Sequence, residues 1–290
     1  MSDRLAAKLS GLLVFLAFTV LGPAPPAAPE GPVQKLAEGV YLFTKGSHRS
    51  LFVVTPAGVV VTDPQSPHAA VEYLQQIRQI TSQPVKYVIY SHRHSDHIAG
   101  GEVFSGTAVF ISHEVAQRRL LAERKPGVVI PSVAFKDRLT LVLGGRRIDV
   151  LYLGKSETDD NVFIFLPKEK ILFAVDSIAN RGLPWGFMDD GYPLEWIETL
   201  KRVEALDFEV LALGHGEPGT KKTVREYRGY LTDLIRGVDA LMVRGLDLDE
   251  IKKKFRLPKY RDWRFYDVHF SPNVDRVYEV LLSQPNKKKP

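Results

Sequence analysis

Residues 91–100 read SHRHSDHIAG, which places His92, His94, Asp96 and His97 almost side by side in a chain that has only eight histidines. Neutral imidazole and carboxylate are the ligand types that zinc takes. In an extended segment alternate side chains point the same way, so His92 and His94 can face one metal ion together. Asp96 and His97, a turn later, can point across to a second. The two neighbouring serines, Ser91 and Ser95, read as parts of the same loop, because nothing in the chain resembles a Ser-His-Asp nucleophile arrangement.

Each metal ion needs further ligands from elsewhere in the chain, and strands that end in short polar loops are the natural suppliers. Three such ends stand out: YLGKSETDD at 152–160, LFAVDS at 172–177 and LALGHGEPG at 211–219. Cysteine is absent. That excludes disulfides, thiolate zinc sites and a cysteine nucleophile, and leaves any metal to His, Asp and Glu.

The elements that must position these residues follow from periodicity and turn residues. GVYLFTK, SLFVVTPAG and VVVTDP read as short β-branched strands. HAAVEYLQQIRQIT, after Pro67, carries Val71, Leu74 and Ile77 at a helical interval. VKYVIYS is a continuous apolar run, the pattern of a strand buried on both faces, and it delivers the chain into His92. AVFISH predicts another strand and EVAQRRLLAER another helix, with His113 capping that helix. From VAFKDRLTLVLGGRRIDVLYLG to NVFIFLPKEKILFAVDS the pattern is strand and hairpin, turning at Gly144-Gly145 and Pro167-Lys168. The last third is helical around one more buried strand, FEVLALG. Two successive blocks of strands followed by helices predict two sheets packed face to face, with helices on each outer side.

With these residues placed, the chain resembles the hydrolases of the metallo-β-lactamase superfamily from about residue 33 to about residue 230. The superfamily's His-x-His-x-Asp-His motif is matched by His92, His94, Asp96 and His97. Its aspartate after a buried strand, often shared by two metals, is matched by Asp176, and its last histidine by His215 in LGHG. The resemblance implies an α/β fold, a four-layer αββα sandwich of two mixed β-sheets flanked by helices. It also implies two Zn2+ per chain and a zinc-dependent hydrolase that uses a metal-bound hydroxide, with Asp96 orienting the nucleophile. The substrate expected is a small cyclic amide or ester, a β-lactam or a lactone. A thioesterase of the glyoxalase II type is the alternative, and a catalytically weak periplasmic metal-dependent binding protein is another. The missing cysteine sets the chain nearer the type with Asp-His-His at the second metal.

One position departs from the pattern. Where the family places a metal-binding histidine, this chain has Glu157 in GKSET. A glutamate oxygen binds zinc at about the same distance as a histidine nitrogen, ~2.0–2.2 Å. Its extra negative charge lowers the Lewis acidity of the metal and makes Mn2+ or Fe2+ possible there. Among the other residues, His48 with Arg49 in KGSHRS lies where relatives carry a loop over the active site, and is expected to touch substrate. The segment after Asp176 exposes Trp185 and Phe187 as a substrate wall, with Tyr192 beside them. His68 and His269 are expected to play no part.

Composition bounds the rest. Of 290 residues, 44% are hydrophobic and 25% charged, ordinary for a folded domain. The net charge of +5 sits largely in short lysine runs, 252–254 and 287–289, which read as solvated surface rather than a nucleic-acid footprint. Arg4 and Lys8 precede the apolar GLLVFLAFTVLG and the proline-rich PAPPAAPEG. That is the order of a secretory signal, and the apolar run is too short to span a bilayer comfortably. Residues 1–32 are therefore expected to be a signal peptide and Pro/Ala linker, 33–235 the catalytic domain, and 236–290 a C-terminal helical extension with a basic tail. The expected location is the periplasm, or an N-terminal membrane anchor in the alternative. A small-molecule substrate is the only partner expected, without nucleic acid or stable membrane insertion after cleavage, and the oligomeric state is left open.

Overall fold

The computed structural model describes residues 31–284. The apolar leader and the terminal lysine run lie outside the described residues. The first sheet opens with four antiparallel strands, β1 (Val33–Ala37), β2 (Val40–Lys45), β3 (His48–Thr55) and β4 (Gly58–Thr62). Three strands then add in parallel, β5 (Val85–Ile89), β6 (Val109–His113) and β7 (Val133–Phe135). The crossovers carry α1 (Pro67–Ile80) before β5, the short α2 (Ser95–Ile98) before β6, and α3 (Glu114–Glu123) before β7. The second sheet has the order β12-β11-β10-β9-β8. Its strands are β8 (Arg138–Leu143), β9 (Arg146–Leu151), β10 (Phe163–Leu166), β11 (Ile171–Ala174) and β12 (Val210–Leu213), and only β11 and β12 run parallel. Helix α4 (Pro193–Ala205) precedes β12, and α5 (Lys221–Val243), α6 (Leu248–Lys254) and α7 (Tyr266–Leu282) follow it among the described residues.

Alternation along the strands builds three apolar layers. In β10, Ile164 and Leu166 face the first sheet, while Phe163 and Phe165 face the helices α4 and α5. In β11, Ile171 and Phe173 point inward and Leu172 and Ala174 outward. A strand that is buried on both faces has to be apolar at every position, which is why these segments read as unbroken hydrophobic runs. On the outer face of the first sheet, Phe52, Val61 and Val88 pack on Ala70, Tyr73 and Ile77 of α1. Phe52, Val61, Val88 and Ile77 each contribute about 1.5–3 kcal/mol by leaving water. The layering is the αββα sandwich expected.

One detail of the helix expectation is corrected. The buried stripe of α1 is Ala69, Ala70, Tyr73 and Ile77, and Val71 is exposed. The Tyr73 hydroxyl donates to the Leu51 carbonyl at 2.8 Å, and this large ring sets the face of the helix that turns inward. His68 lies at the start of α1, and His113 caps α3 by accepting from the Val115 N–H, both as expected. Among the described residues no helix is long and apolar enough to cross a membrane.

The basis of the site is its position at strand ends. β4 ends before Asp63, β5 before His92, β11 before Asp176 and β12 before His215. Glu157 is in the β9–β10 connection, and His48 begins β3.

Candidate metal centre

Strand β5 leads through Tyr90 into the loop that carries His92 and His94. The Asp63 carboxylate accepts the Ser91 N–H at 2.8 Å and so fixes where this loop leaves the sheet. Asp96 and His97 follow on α2, and the His97 carbonyl accepts from the Gln65 N–H. Two groups of ligand-type atoms result. His92, His94, Glu157 and Asp176 form one, and His48, Asp96, His97 and His215 the other; within each, the atoms all lie within 4.8 Å of one another.

The spacings inside these groups test whether a metal ion suits them. Four ligands bonded tetrahedrally at ~2.0–2.1 Å stand about 3.3–3.4 Å apart. In the first group His92 Nε2 is 3.3 Å from Asp176 Oδ2, and His94 Nδ1 is 3.5 Å from Glu157 Oε1. In the second, His97 Nε2 is 3.4 Å from Asp96 Oδ2 and 3.2 Å from His215 Nε2. Asp176 belongs to both, with Oδ2 3.3 Å from His97 Nε2 and Oδ1 3.1 Å from His215 Nε2. Its backbone is in the left-handed region, φ 49°, which aspartate tolerates better than most residues.

Hydrogen bonds turn the nitrogen lone pairs toward these centres. The Asp190 carboxylate can only accept, so His94 Nε2 donates to it at 3.0 Å and Nδ1 is left facing Glu157. His215 Nδ1 donates to the Ser47 carbonyl at 2.8 Å, which leaves Nε2 facing His97 and Asp176. His92 Nδ1 meets Ser91 Oγ at 2.9 Å, and its Nε2 is buried without a hydrogen-bond partner. A ligating histidine is oriented in just this way, its outer nitrogen held by an oxygen and its inner one aimed at the metal. His97 differs, since its Nδ1 is buried without a hydrogen-bond partner.

The electrostatics agree. Burial, reinforced by the negative charges of Asp176, Asp160 and Asp190, pushes the Glu157 carboxyl well above the carboxylate range. Burial also opposes ionisation of Asp176, but the imidazoles of His97, His215 and His92 outweigh it and hold Asp176 well below that range. Burial lowers His92, which keeps it neutral as a ligand must be. So many carboxylates in one buried place repel one another, and a divalent cation between them relieves that repulsion. The residues fit a metal.

The seven residues expected as ligands are thus brought together, and the Glu157 turn is firmly held. Asn161 Oδ1 accepts from the Thr158 N–H at 2.7 Å and from Ser156 Oγ at 3.2 Å. The indole of buried Trp196 donates to the Ser177 carbonyl at 2.9 Å and pins the turn after Asp176. His48, expected beside substrate, has its imidazole directly against Asp96, with Nε2 3.1 Å from Oδ2. Trp185 and Phe187 are 74% and 55% exposed, and Trp185 packs edge-on against Phe265. His269 accepts from the Gly186 N–H at 3.2 Å and so ties α7 to the loop that carries Trp185.

Two participants have no motif in the sequence. Asp190 holds His94, and Arg93 in turn holds the same Asp190 oxygen at 2.7 Å. Asp63 braces the loop from behind, and the carboxylates Asp176, Asp63 and Asp96 outweigh burial to raise His97 to about 9. The available signal for both was an acidic residue directly after a strand or in a loop leaving a ligand.

A two-sheet αββα sandwich with a His- and carboxylate-rich centre at its strand ends defines a metallohydrolase-type scaffold. The model of the metallo-beta-lactamase superfamily matches residues 43–215, from β2 to the histidine that closes the second group. The chain belongs to that superfamily. It is 26% identical over 181 residues to the 2,4-dinitroanisole O-demethylase subunit alpha of Nocardioides sp. (strain JS1661), covering 61% of this chain and 55% of that protein. It is 25% identical over 206 residues to a metallo-beta-lactamase type 2 of Elizabethkingia meningoseptica, covering 67% of this chain and 81% of that one. The chain thus spans about half the length of the O-demethylase subunit. Among solved structures, the metallo-beta-lactamase from Pontibacter korlensis shares the fold, with a TM-score of 0.63, 24% identity, and coverage of 69% of this chain and 98% of that one.

Proposed function

We propose that this protein is a metal-dependent hydrolase with two adjacent zinc sites, acting on a small cyclic amide or ester, a β-lactam or a lactone. The observation that carries this reading is Asp176, one carboxylate within 3.3 Å of His92 and His97 and within 3.1 Å of His215. A group so placed serves two ions at once. When bound, such a pair supplies Lewis acidity and a water-derived nucleophile at neutral pH. His92, His94 and Glu157 hold one side and Asp96, His97 and His215 the other, the Asp-His-His arrangement at the second site. Asp96 has a half-exposed carboxylate, and it positions the attacking water. The exposed rings of Trp185 and Phe187 meet the apolar part of the substrate.

The amide or ester bond is favoured by the β-lactamase relative, which this chain covers to 81% of its length. The Arg4, Lys8 and apolar pattern before residue 32 favours export to the periplasm, and amino-terminal sequencing of protein recovered from that compartment tests it.

The test of the activity is turnover by metal-free and zinc-loaded protein on a β-lactam, a lactone, a thioester, a sulfate ester, a phosphodiester and 2,4-dinitroanisole. Zinc-dependent turnover of the lactam or lactone is expected. Turnover confined to another member of the panel would reassign the bond, and undiminished turnover without metal would overturn the mechanism.

A further inference from the structure

We propose that His48 is a ligand of the second metal, an inference that rests on reading the two strand-end groups as metal sites. The second site then carries three imidazoles and Asp96, while the site around Glu157 carries two imidazoles, with Asp176 shared. Relative to the pattern the superfamily resemblance implies, the imidazole-rich and carboxylate-rich sites have changed places.

The distances carry this. His48 Nε2 is 3.1 Å from Asp96 Oδ2, alongside 3.4 Å from His97 Nε2 to the same oxygen and 3.2 Å from His97 Nε2 to His215 Nε2. These are near the edges of a tetrahedron whose centre is about 2.0 Å from each corner. A histidine that merely oriented Asp96 would hold the carboxylate by its other oxygen, away from the centre. His48 instead approaches Oδ2, the oxygen that faces His97. Its remaining nitrogen, Nδ1, has Ser47 Oγ at 3.3 Å, the kind of outer partner that His92 has in Ser91.

The backbone fixes His48 in that place. His48 and His215 form an antiparallel β-bridge, the Arg49 N–H donates to the Gly214 carbonyl at 2.8 Å, and the Ser47 carbonyl accepts from His215 Nδ1. The Arg49 guanidinium also holds the Gly216 carbonyl and the Glu217 carboxylate. The β2–β3 turn is thereby stitched to the turn that carries His215, so both imidazoles move as one unit. Three imidazoles suit zinc, and the more carboxylate-rich site suits harder ions. Zinc therefore fills the His48 site first.

The test is titration of metal-free protein with cobalt(II) chloride, read by the hyperfine-shifted imidazole resonances in proton NMR. The wild-type chain is expected to show five shifted rings, from His48, His92, His94, His97 and His215. His48→Ala should show one fewer, with one of the two cobalt equivalents bound at least 10–100-fold more weakly. His48→Gln keeps a hydrogen-bond donor toward Asp96 and separates the two roles, since it would restore affinity only if His48 acted through Asp96. An unchanged set of shifted rings in His48→Ala, or full rescue by His48→Gln, would overturn the inference while leaving the metal centre standing. A wild-type chain that binds no cobalt would overturn the metal reading itself.

Discussion

His94 Nε2 donates to Asp190 Oδ2 at 3.0 Å, and the Arg93 guanidinium approaches the same oxygen at 2.7 Å. Burial disfavours the charged carboxyl, but His94 and Arg93 outweigh it and keep Asp190 below the ordinary carboxylate range. An ionised Asp190 keeps the proton on Nε2, and so keeps the Nδ1 lone pair pointing to Glu157 and the first site. Asp190→Ala should therefore weaken binding of one zinc by about 10–100-fold and leave the other unaffected. Competition against a chromophoric chelator resolves the two affinities. Equal loss at both sites, or at neither, would show that Asp190 does not orient His94.

Metal binding has to displace protons. The Glu157 carboxyl is held well above its usual range, and His97 is raised to about 9. At pH 7 the metal-free protein carries a proton on His97, and burial of Glu157 favours its protonated form in the same direction, so loading the sites should release at least one proton. The direction follows: metal affinity rises with pH and levels off above about 9. For the metal-free fold the sign is opposite. His97 binds its proton more tightly folded than unfolded, so its contribution to stability is complete below about 6.5 and is lost as pH rises through about 9. Calorimetry in two buffers of different ionisation enthalpy counts the protons, and a count of zero would be incompatible with this account.

On the proposed reading, Glu157 is the ligand that would set the character of the first site. Restoring an imidazole there by Glu157→His removes one negative charge beside the metal, which should lower the pH at which the pH–rate profile reaches its midpoint and raise the preference for zinc over manganese. Glu157→Ala should reduce metal content without restoring that preference. Metal analysis together with the pH–rate profile checks both. If neither substitution changes metal content or profile, Glu157 is not a ligand.

What the sequence made legible divides along physical lines. His92, His94, Asp96 and His97 could be grouped because one loop carries them, and Asp176 and His215 because each directly follows a run of buried apolar residues. The layers followed from the same runs, since β10 and β11 are apolar at every position only when both faces are covered. Asp190 was not legible as His94's partner, because its place depends on how the loop after Asp176 folds back, and no spacing rule encodes that. The sequence marks His48 as a residue beside substrate, but its distance from Asp96 depends on a β-bridge to His215 formed between residues 167 apart. Periodicity alone puts Val71 on the apolar stripe of α1. Tyr73 turned the helix, because the larger ring and its hydroxyl gain more from the interior than Val71 does.

The loop that supplies both Asp190 and Trp185 is held by α7, beyond the residues matched by the superfamily model. The centre of that hold is Asn273, which is fully buried. Its Nδ2 donates to the Gly186 carbonyl at 2.8 Å and the Pro184 carbonyl at 3.2 Å, while its Oδ1 accepts from the Tyr230 hydroxyl at 2.9 Å. Asn273→Leu fills much the same volume but leaves two carbonyls and a hydroxyl without partners. Stranding buried polar groups costs about 1–3 kcal/mol each when water cannot reach them. At about 2–4 °C per kcal/mol for a chain of this size, the melting temperature should fall by several degrees. Because the same loop delivers Asp190 to His94, zinc affinity at the first site should fall as well, though less than in Asp190→Ala. Melting curves and zinc competition on the one variant separate the effects: a lower melting temperature with unchanged zinc affinity would mean that α7 stabilises the fold without positioning the site.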